Sequence, residues 1–383
     1  MLLRSIACRA PTPAALGAEF AKEIAAAGAP DALLWLTDAS DAAFVARAAA
    51  DACGAAVGAR TAGGLVGGGR EHYGPPEGPE PRVVALALGG AAATPFHSPP
   101  DGLPDLPADA WAALAAAAPE DAPPLLLLAA PPRRTGFDIE GWLARMDAAL
   151  PWSTKVGGIA TESDLYLGGD ALDGGVVGLA LHGAALDAVV GQGATPVGPA
   201  FKVTACEGNV VRALDGSDVG AALDPVLADW DPMMGDLKIG VRVPTRAAAD
   251  GGPAAPDAPD AYVVRQLLGM NREASVLAIG AAPDLLAAQD VAIQLHAFGP
   301  QAAKRELEDA AARLKGGAGG LLVPCVGRGP ALYGEADVES RALAAALGRE
   351  LELAGFFANG EIGPVGARTF VHTFSTVVGL LRY

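Results

Sequence analysis

Hydrophobic residues follow two spacings along the chain, one typical of helices and one typical of buried strands. Residues 14–27 place apolar side chains at helical spacing opposite Glu19, Lys22 and Glu23, which predicts an amphipathic helix. Short continuous apolar runs predict buried strands at 31–38, 81–90 and 124–130. Helices are predicted between or after these strands at 40–53, 108–118 and 137–149. The pattern therefore indicates a fold that mixes strands with helices.

The rest of the chain continues this mixture. Glycine-proline turns interrupt apolar runs over 187–215, which predicts a β-meander that leads into a helix at 217–228. Further strands are predicted at 274–279, 290–298, 319–329 and 368–381, and helices at about 300–315 and 337–352. The stretch 245–261, rich in Pro, Gly, Ala and Asp, has no periodicity and predicts a disordered surface insertion.

Glycine-rich turns recur at 58–73, 153–169 and 355–366, each after a predicted helix and before a strand. Gly58 and Gly63 share their spacing with Gly355 and Gly360, an alignment that sets Gly64 against Glu361. Repetition of a helix–turn–strand unit favours internal duplication. Coincidence is the alternative, because the chain holds 50 glycines.

The charge of the chain limits its partners. A formal net charge of −17 repels phosphate backbones and anionic lipid headgroups, so no nucleic-acid partner is predicted, although the same acidity could simply keep an apolar chain in solution. No run approaches about 18 apolar residues without proline or charge, so no membrane span is expected. Four scattered cysteines favour a reducing, intracellular compartment, with a soluble cytoplasmic protein favoured over a chloroplast one.

Signatures of catalysis and metal binding are missing from the sequence. No CxxC pair occurs, and the five histidines show neither HExxH nor i, i+4 spacing. GQGATPVG (191–198) precedes a strand-like run, which a dinucleotide loop does not. Walker A, GxSxG and SxxK motifs do not occur. We therefore predict no metal and no cofactor, and enzymatic activity is not favoured.

Several motifs, taken in order, resemble the FIST domain family. GFFANGEIGP, followed by a strand, resembles the closing motif of the family. LLVPCVGRGPALYG is similar to its strand with a cysteine and an arginine, here Cys325 and Arg328. DVAIQLHAFGPQAAKRELE resembles its strand–turn–helix segment, and KVGGIATES and GARTAGGLVGGGREHY resemble its N-terminal glycine-rich elements. The resemblance runs from about residue 5 to 381.

The resemblance implies an α/β (α+β) fold of mixed, largely antiparallel sheets flanked by helices, in two related halves. Its N-terminal domain would span 1–195 and its C-terminal domain 196–383. It also implies a non-enzymatic sensory module that binds a small ligand, with amino acids among the candidates, and signals through an unidentified protein partner. Neither an F-box before the matching region nor an output domain after it is expected. The alternatives are an interaction scaffold or assembly adaptor, and an unrecognised hydrolase or transferase that uses Cys325 or Glu361.

The C-terminal glycine turn supplies the first candidate ligand contacts. Glu361 lies among glycines, a proline and apolar residues, where it could receive an ammonium or hydroxyl group, or accept backbone N–H groups and pin its own turn. Gly360 would let backbone approach a ligand. Asn359 is a candidate contact, although it equally suits a left-handed turn position.

Four further candidates lie elsewhere in the chain. Arg328 could clamp a carboxylate, or form a structural ion pair with Glu361 or Glu335. Cys325 is a candidate contact, with a packed apolar thiol as the alternative. Arg60 and Glu71 belong to the first glycine-rich unit, where they would line one cleft with the C-terminal turn or be exposed hairpin residues.

Overall fold

The computed structural model describes residues 2–73, 82–231, 235–243, 262–281, 285–286, 291–314 and 316–382. The insertion predicted at 245–261 lies outside the described residues. The chain forms two compact units, the first of Met1–Val190, Glu308–Pro364 and Thr369–Tyr383, and the second of Gly191–Leu307 and Val365–Arg368. The predicted domain boundary at residue 195 stays a prediction.

The first repeat of the first unit contains an edge strand, a helix, a parallel βαβ pair, a hairpin and a return strand. Its elements are β1 Leu2–Arg9, α1 Pro13–Ala27, β2 Ala32–Thr37, α2 Ala43–Ala52, β3 Ala56–Arg60, β4 Gly64–Gly67, β5 Arg70–Tyr73 and β6 Arg82–Gly89. β2 and β3 pair in parallel, whereas β1 and β2 both pair antiparallel with β6. Thr12 caps α1, which buries Leu16, Phe20 and Ile24 on one face as its periodicity predicts.

The same order recurs in the second repeat. Its elements are β7 Ala92–Ser98, α3 Ala108–Ala115, β8 Leu125–Ala130, α4 Ile139–Ala149, β9 Lys155–Ile159, β10 Asp164–Leu167, β11 Asp170–Asp173 and β12 Gly175–His182. β8 and β9 pair in parallel, and β12 pairs antiparallel with both β7 and β8. All six residues of β8 are buried, as the continuous apolar run predicts for a strand covered on both faces. Trp142, Leu143 and Met146 of α4 pack against this strand.

The second unit is an antiparallel ring of strands. Its elements are β14 Ala194–Glu207, β15 Val210–Leu214, β16 Ser217–Asp218, α5 Val219–Ala228, β17 Asp236–Arg242, β18 Tyr262–Asn271, β19 Val276–Ile279 and β20 Ala292–Phe298. The strand order is β14-β20-β17-β18-β19-β15-β16, and β14 also pairs with β15, which closes the ring. Closure leaves few free strand edges.

The third repeat lies mainly in the first unit, although Pro300–Leu307 of its first helix and Val365–Arg368 belong to the second. Its elements are β13 Ala185–Gly191, α6 Pro300–Ala312, β21 Gly319–Pro324, α7 Pro330–Tyr333, α8 Val338–Leu347, β22 Glu352–Phe356, β23 Glu361–Val365, β24 Arg368–His372 and β25 Thr376–Arg382. β21 and β22 pair in parallel, and β25 is antiparallel to β21. Leu343 of α8 packs with Leu322, Val378 and Leu380. The prediction of mixed, largely antiparallel sheets with helices is therefore confirmed.

Each hairpin of the first unit leaves its own repeat and extends the sheet of another. β10 pairs with β3, β23 with β9, and β4 with β22. The sheets are β1-β6-β2-β3-β10-β11, β7-β12-β8-β9-β23-β24 and β13-β25-β21-β22-β4-β5. Because the exchange is cyclic, the chain leaves one sheet for another at each of the turns after β3, β9 and β22.

Left-handed residues cut short two of the predicted elements. The strand predicted at 368–381 is interrupted between β24 and β25, where Phe374 has a φ of 58°. The helix predicted at 337–352 ends at Leu347, because Gly348 adopts a left-handed C-cap with a φ of 65°. Within the described ranges, no helix combines the length and the apolarity needed to cross a membrane.

Candidate functional site

The three crossing turns contact one another, and we call residues 61–64, 160–163 and 357–361 the turn junction. The hydroxyl oxygens of Thr61 and Thr161 lie 3.2 Å apart, and Thr161 Oγ1 accepts the Ala62 N–H at 2.7 Å. The Asn359 N–H donates to the Ile159 carbonyl at 2.9 Å. A Cβ at Gly63 would lie 2.5 Å from the Phe357 carbonyl oxygen, so only glycine fits this contact. The repeats therefore bring three sequence-distant turns to one place.

The structure matches the first and last glycine turns with a shift of one residue from the alignment made on the sequence. Gly64 and Gly360 share the same backbone conformation, with φ values of 120° and 122°. The Gly64 carbonyl accepts the Phe357 N–H, and the Gly360 carbonyl accepts the Ile159 N–H. Gly64 therefore corresponds to Gly360, and Leu65 corresponds to Glu361. Positive φ falls on Gly360 and not on Asn359, so the expectation of a left-handed Asn359 is wrong.

Glu361 is fully buried at the start of β23. Its Oε2 accepts the Ser375 hydroxyl at 2.7 Å and the Ser375 N–H at 3.1 Å, and its Oε1 faces the Gly360 N–H at 3.3 Å. Burial raises the pKa of this carboxyl to about 8, although the hydrogen bonds from Ser375 and Cys325 act in the opposite direction. The carboxyl is therefore mostly protonated at neutral pH. These are the bonds expected of a turn-pinning residue, and ligand contact stays a prediction.

Cys325 follows β21 directly and lies beside Glu361. Burial, followed by the negative charge of Glu361, raises the pKa of its thiol to about 11. The Glu361 carboxylate, whose conjugate acid has a pKa near 8, is a weaker base than the Cys325 thiolate. The proton therefore stays on the sulfur. The pair therefore lacks the electropositive surroundings that activate a cysteine nucleophile.

We expect Cys325 to resist alkylation in the folded protein at pH 7.5. A pKa near 11 lowers the thiolate population about a hundredfold relative to an ordinary cysteine. Iodoacetamide labelling followed by peptide mass spectrometry measures the rate at each cysteine, with the partly exposed Cys206 as the internal control. Labelling of Cys325 as fast as Cys206 before unfolding would contradict the protonated state.

Exposed apolar side chains border the buried Glu361 and Cys325. Val326 is 40% exposed and Phe374 is 37% exposed. The Phe374 ring lies 3.1 Å from the position of a Cβ on Gly327, and Val326 lies 2.7 Å from that of Gly63. Asn359 is exposed on the same turn as Glu361. Two exposed apolar side chains and the exposed Asn359 therefore lie near the junction and its buried carboxyl.

Arg328 belongs to a separate buried network after β21. Its Nε donates to Glu339 Oε1 at 2.6 Å, Nη1 to the Phe374 carbonyl at 2.9 Å, and Nη2 to the Tyr333 hydroxyl at 2.5 Å. The Arg328 and Glu339 side chains are both fully buried. The structure thus pairs Arg328 with Glu339, where the sequence suggested Glu361 or Glu335. Its contact with a ligand carboxylate stays a prediction.

Glu71 caps the helix that carries Glu339. Its Oε1 accepts the Ser340 N–H at 2.7 Å in the first turn of α8, and the Tyr73 hydroxyl donates to its other oxygen. Burial raises the pKa of this carboxyl. With a residue exposure of 6%, Glu71 is not an exposed hairpin residue. Glu71 and Arg328 therefore meet at the N-terminal turn of one helix.

Arg60 forms a third cluster, between the first and second repeats. Its Nε donates to Asp164 at 2.7 Å and its Nη2 to Glu162 at 2.8 Å. Although burial opposes the shift, hydrogen bonds from Arg60 and Arg133 lower the pKa of Asp164. Arg60 therefore fastens the turn after β9 to the end of β3.

The candidate residues fall into these three groups, and sequence reasoning missed their partners. The missed partners include Glu339, Ser375, Tyr333, Tyr73, Asp164 and Glu162. A faint signal existed for Tyr73, two positions after Glu71 on one strand face, but none for Ser375. Within the described part of the chain, no group of three or more His, Cys, Asp or Glu side chains could hold a metal ion.

Comparison with known proteins gives consistent family matches. The FIST N domain model matches residues 32–217, and the FIST C domain model matches residues 229–364. Uncharacterized protein Rv0628c of Mycobacterium tuberculosis is 30% identical over 250 residues, which is 62% of this chain and 63% of that protein. Uncharacterized protein Mb0898c of Mycobacterium bovis is 32% identical over 243 residues, 60% of this chain and 61% of that protein. The match thus spans less than two thirds of these relatives.

Proposed function

Because this chain belongs to the FIST domain family, we propose that it binds a small polar ligand at the turn junction and passes the signal to a protein partner. One observation carries the proposal: three crossing turns meet beside the fully buried Glu361 and near the exposed side chains of Val326 and Phe374. Apolar surface with a few convergent polar groups is typical of small-ligand sites.

The chemistry of the junction suits a ligand with an amine and an apolar part. An ammonium group would stabilise the ionised form of Glu361, so its binding would release a proton at neutral pH. The partly buried Thr161 hydroxyl offers a further polar contact, and Phe374 offers an apolar surface. An α-amino acid combines these features. Arg328, Cys325, Asn359, Gly360, Arg60 and Glu71 support the surrounding structure in this proposal.

Residues 373–375 could transmit occupancy to the rest of the first unit. Glu361 holds Ser375 from one side, and Arg328 holds the Phe374 carbonyl from the other. A ligand that draws Glu361 away from Ser375 would loosen this segment and, through Arg328 and Glu339, the start of α8. The partner that would sense this change, and an intracellular location in the cytoplasm, are part of the proposal.

A thermal-shift screen against amino acids and common metabolites, followed by calorimetric titration, tests the proposal on the full chain. We expect one chemical class to raise the melting temperature, and Glu361→Gln to weaken its binding about tenfold or more. The exposed Glu350→Gln is the matched control and should bind normally. Silence across a broad panel, or binding that is indifferent to Glu361→Gln, would count against the junction as the ligand site.

A further inference from the structure

A small basic pocket lies away from the turn junction, at the ends of β1 and β6. It has a volume of about 150 Å³ and is lined by Ala7, Cys8, Arg9, His72, Arg82, Val83 and Val84. Ala7 pairs with Val84, and Arg9 with Arg82, across the antiparallel ladder. The hairpin β4–β5 packs over this surface, since a Cβ at Gly67 would lie 2.6 Å from Val84. His72 of that hairpin thereby forms a wall of the pocket.

The charges around this pocket are unusual in a chain of net charge −17. Two arginines directly opposite each other repel unless a negative group lies near them. Asp38 pairs with Arg82 at 2.7 Å and neutralises that side chain. Among the described residues, none makes a hydrogen bond or ion pair with the exposed Arg9 guanidinium. Burial, together with the negative charges of Glu19 and Glu23, raises the pKa of the Cys8 thiol to about 12, so Cys8 adds no negative charge.

The His72 ring supplies the second potential hydrogen-bond donor of the pocket. Its Nε2 lies 3.3 Å from the Gly67 carbonyl, which can only accept, so Nε2 carries the proton and Nδ1 of the neutral ring is an acceptor. Burial lowers the pKa of His72. The positive charges of Arg82 and Arg9 lower it further, whereas the negative charge of Asp337 raises it. An anion in the pocket would act in the same direction as Asp337 and would turn Nδ1 into a donor.

We propose that this pocket binds a small oxyanion, a carboxylate or a phosphate, through the Arg9 guanidinium and the His72 imidazolium. The pocket admits only a few non-hydrogen atoms, so the oxyanion is a free ion or the end of a larger molecule that projects into solvent. Binding takes up a proton on His72 and strengthens as the pH falls through the pKa of that residue. This site is independent of ligand binding at Glu361.

Calorimetric titration of the full chain with inorganic phosphate, sulfate and acetate at constant ionic strength tests the site. We expect saturable binding of at least one anion, about tenfold weaker in Arg9→Gln. Phosphate and sulfate binding without acetate binding would identify a phosphate-type group, and the reverse a carboxylate. Arg47→Gln, on the exposed side of α2, is the matched control. It also removes one positive charge, from a side chain that is 85% exposed in the wild type.

The role of His72 has its own readout. The imidazole Cε1–H resonance that disappears in His72→Asn should titrate at a higher pH when the anion is bound, and His72→Asn should abolish the pH dependence of affinity. No saturable anion binding by the wild-type chain, or equal affinities in Arg9→Gln and Arg47→Gln, would overturn the proposal. Neither outcome bears on the amino-acid screen with Glu361→Gln, so the two proposals fail separately.

Discussion

Replacing Arg328 with methionine is expected to lower the free energy of unfolding by about 3–5 kcal/mol. Arg328 and Glu339 are both fully buried and lie 2.6 Å apart. Without the guanidinium, the buried Glu339 carboxyl would retain the Tyr333 hydroxyl, at 2.9 Å, as its one hydrogen-bond donor among the described residues. The Phe374 carbonyl would also lose the hydrogen bond from Arg328. Removing one partner of a buried pair costs more than the pair itself contributes, because a charge is left unpaired.

Urea unfolding followed by far-ultraviolet circular dichroism measures this loss. Arg341→Met is the matched control, since Arg341 pairs with Glu335 at 2.8 Å in a pair whose side chains are 58% and 49% exposed. We expect that control to cost less than about 1 kcal/mol. The double variant Arg328→Met, Glu339→Met should be more stable than Arg328→Met alone. Equal stabilities of Arg328→Met and Arg341→Met would show that the buried pair carries no special energy.

Substituting Glu361 with glutamine is expected to make the protein less sensitive to alkaline pH. The pKa of Glu361 is raised by burial to about 8 in the folded state, against an ordinary value of 4.5. Between these values the unfolded chain releases a proton that the folded chain retains. The contribution of this group to stability is therefore complete below pH 4.5 and is lost as the pH rises toward 8. The loss has a limiting slope of about 1.4 kcal/mol per pH unit.

Glutamine removes this titration and keeps an oxygen that accepts from Ser375. From pH 5 to pH 8, we expect the unfolding free energy of wild type to fall relative to that of Glu361→Gln. Above pH 8 the difference between the two proteins should level off. Urea unfolding at several pH values gives both curves, and Glu350→Gln shows the effect of removing an exposed carboxyl. Parallel curves for wild type and Glu361→Gln would mean that Glu361 is ionised in the folded protein at neutral pH.

The secondary structure was largely predictable from local patterns. The continuous apolar run at 124–130 forms β8, and the amphipathic stretch 14–27 forms α1, because periodicity reports directly on which faces are buried. The interruption at Phe374 was not predictable. Its left-handed backbone is held in place by distant groups, since Arg328 binds its carbonyl and Glu361 binds the following residue. A local pattern carries no record of such contacts.

The candidate site was predictable only in part. Glycine turns with close backbone contacts were recognisable in the sequence, and Gly63 and Gly360 do lie at the turn junction. The ion-pair partner of Arg328 was not recognised, because sequence separation alone does not choose between Glu335, which was suggested, and Glu339, which was missed. Burial decided between them: Glu339 faces the interior at the start of α8, whereas Glu335 is half exposed.

The sequence alone determined the mixed architecture, the recurrence of glycine turns and the family, since each depends on local composition and order. Only the tertiary structure decided that the hairpins exchange cyclically, that Glu361 is buried against Ser375, and that Glu71 caps a helix 269 residues away. Those features depend on contacts between distant segments. Two carboxylates look the same in a local sequence pattern. The tertiary structure decides which of them is buried against a partner, and burial makes that pair energetically important.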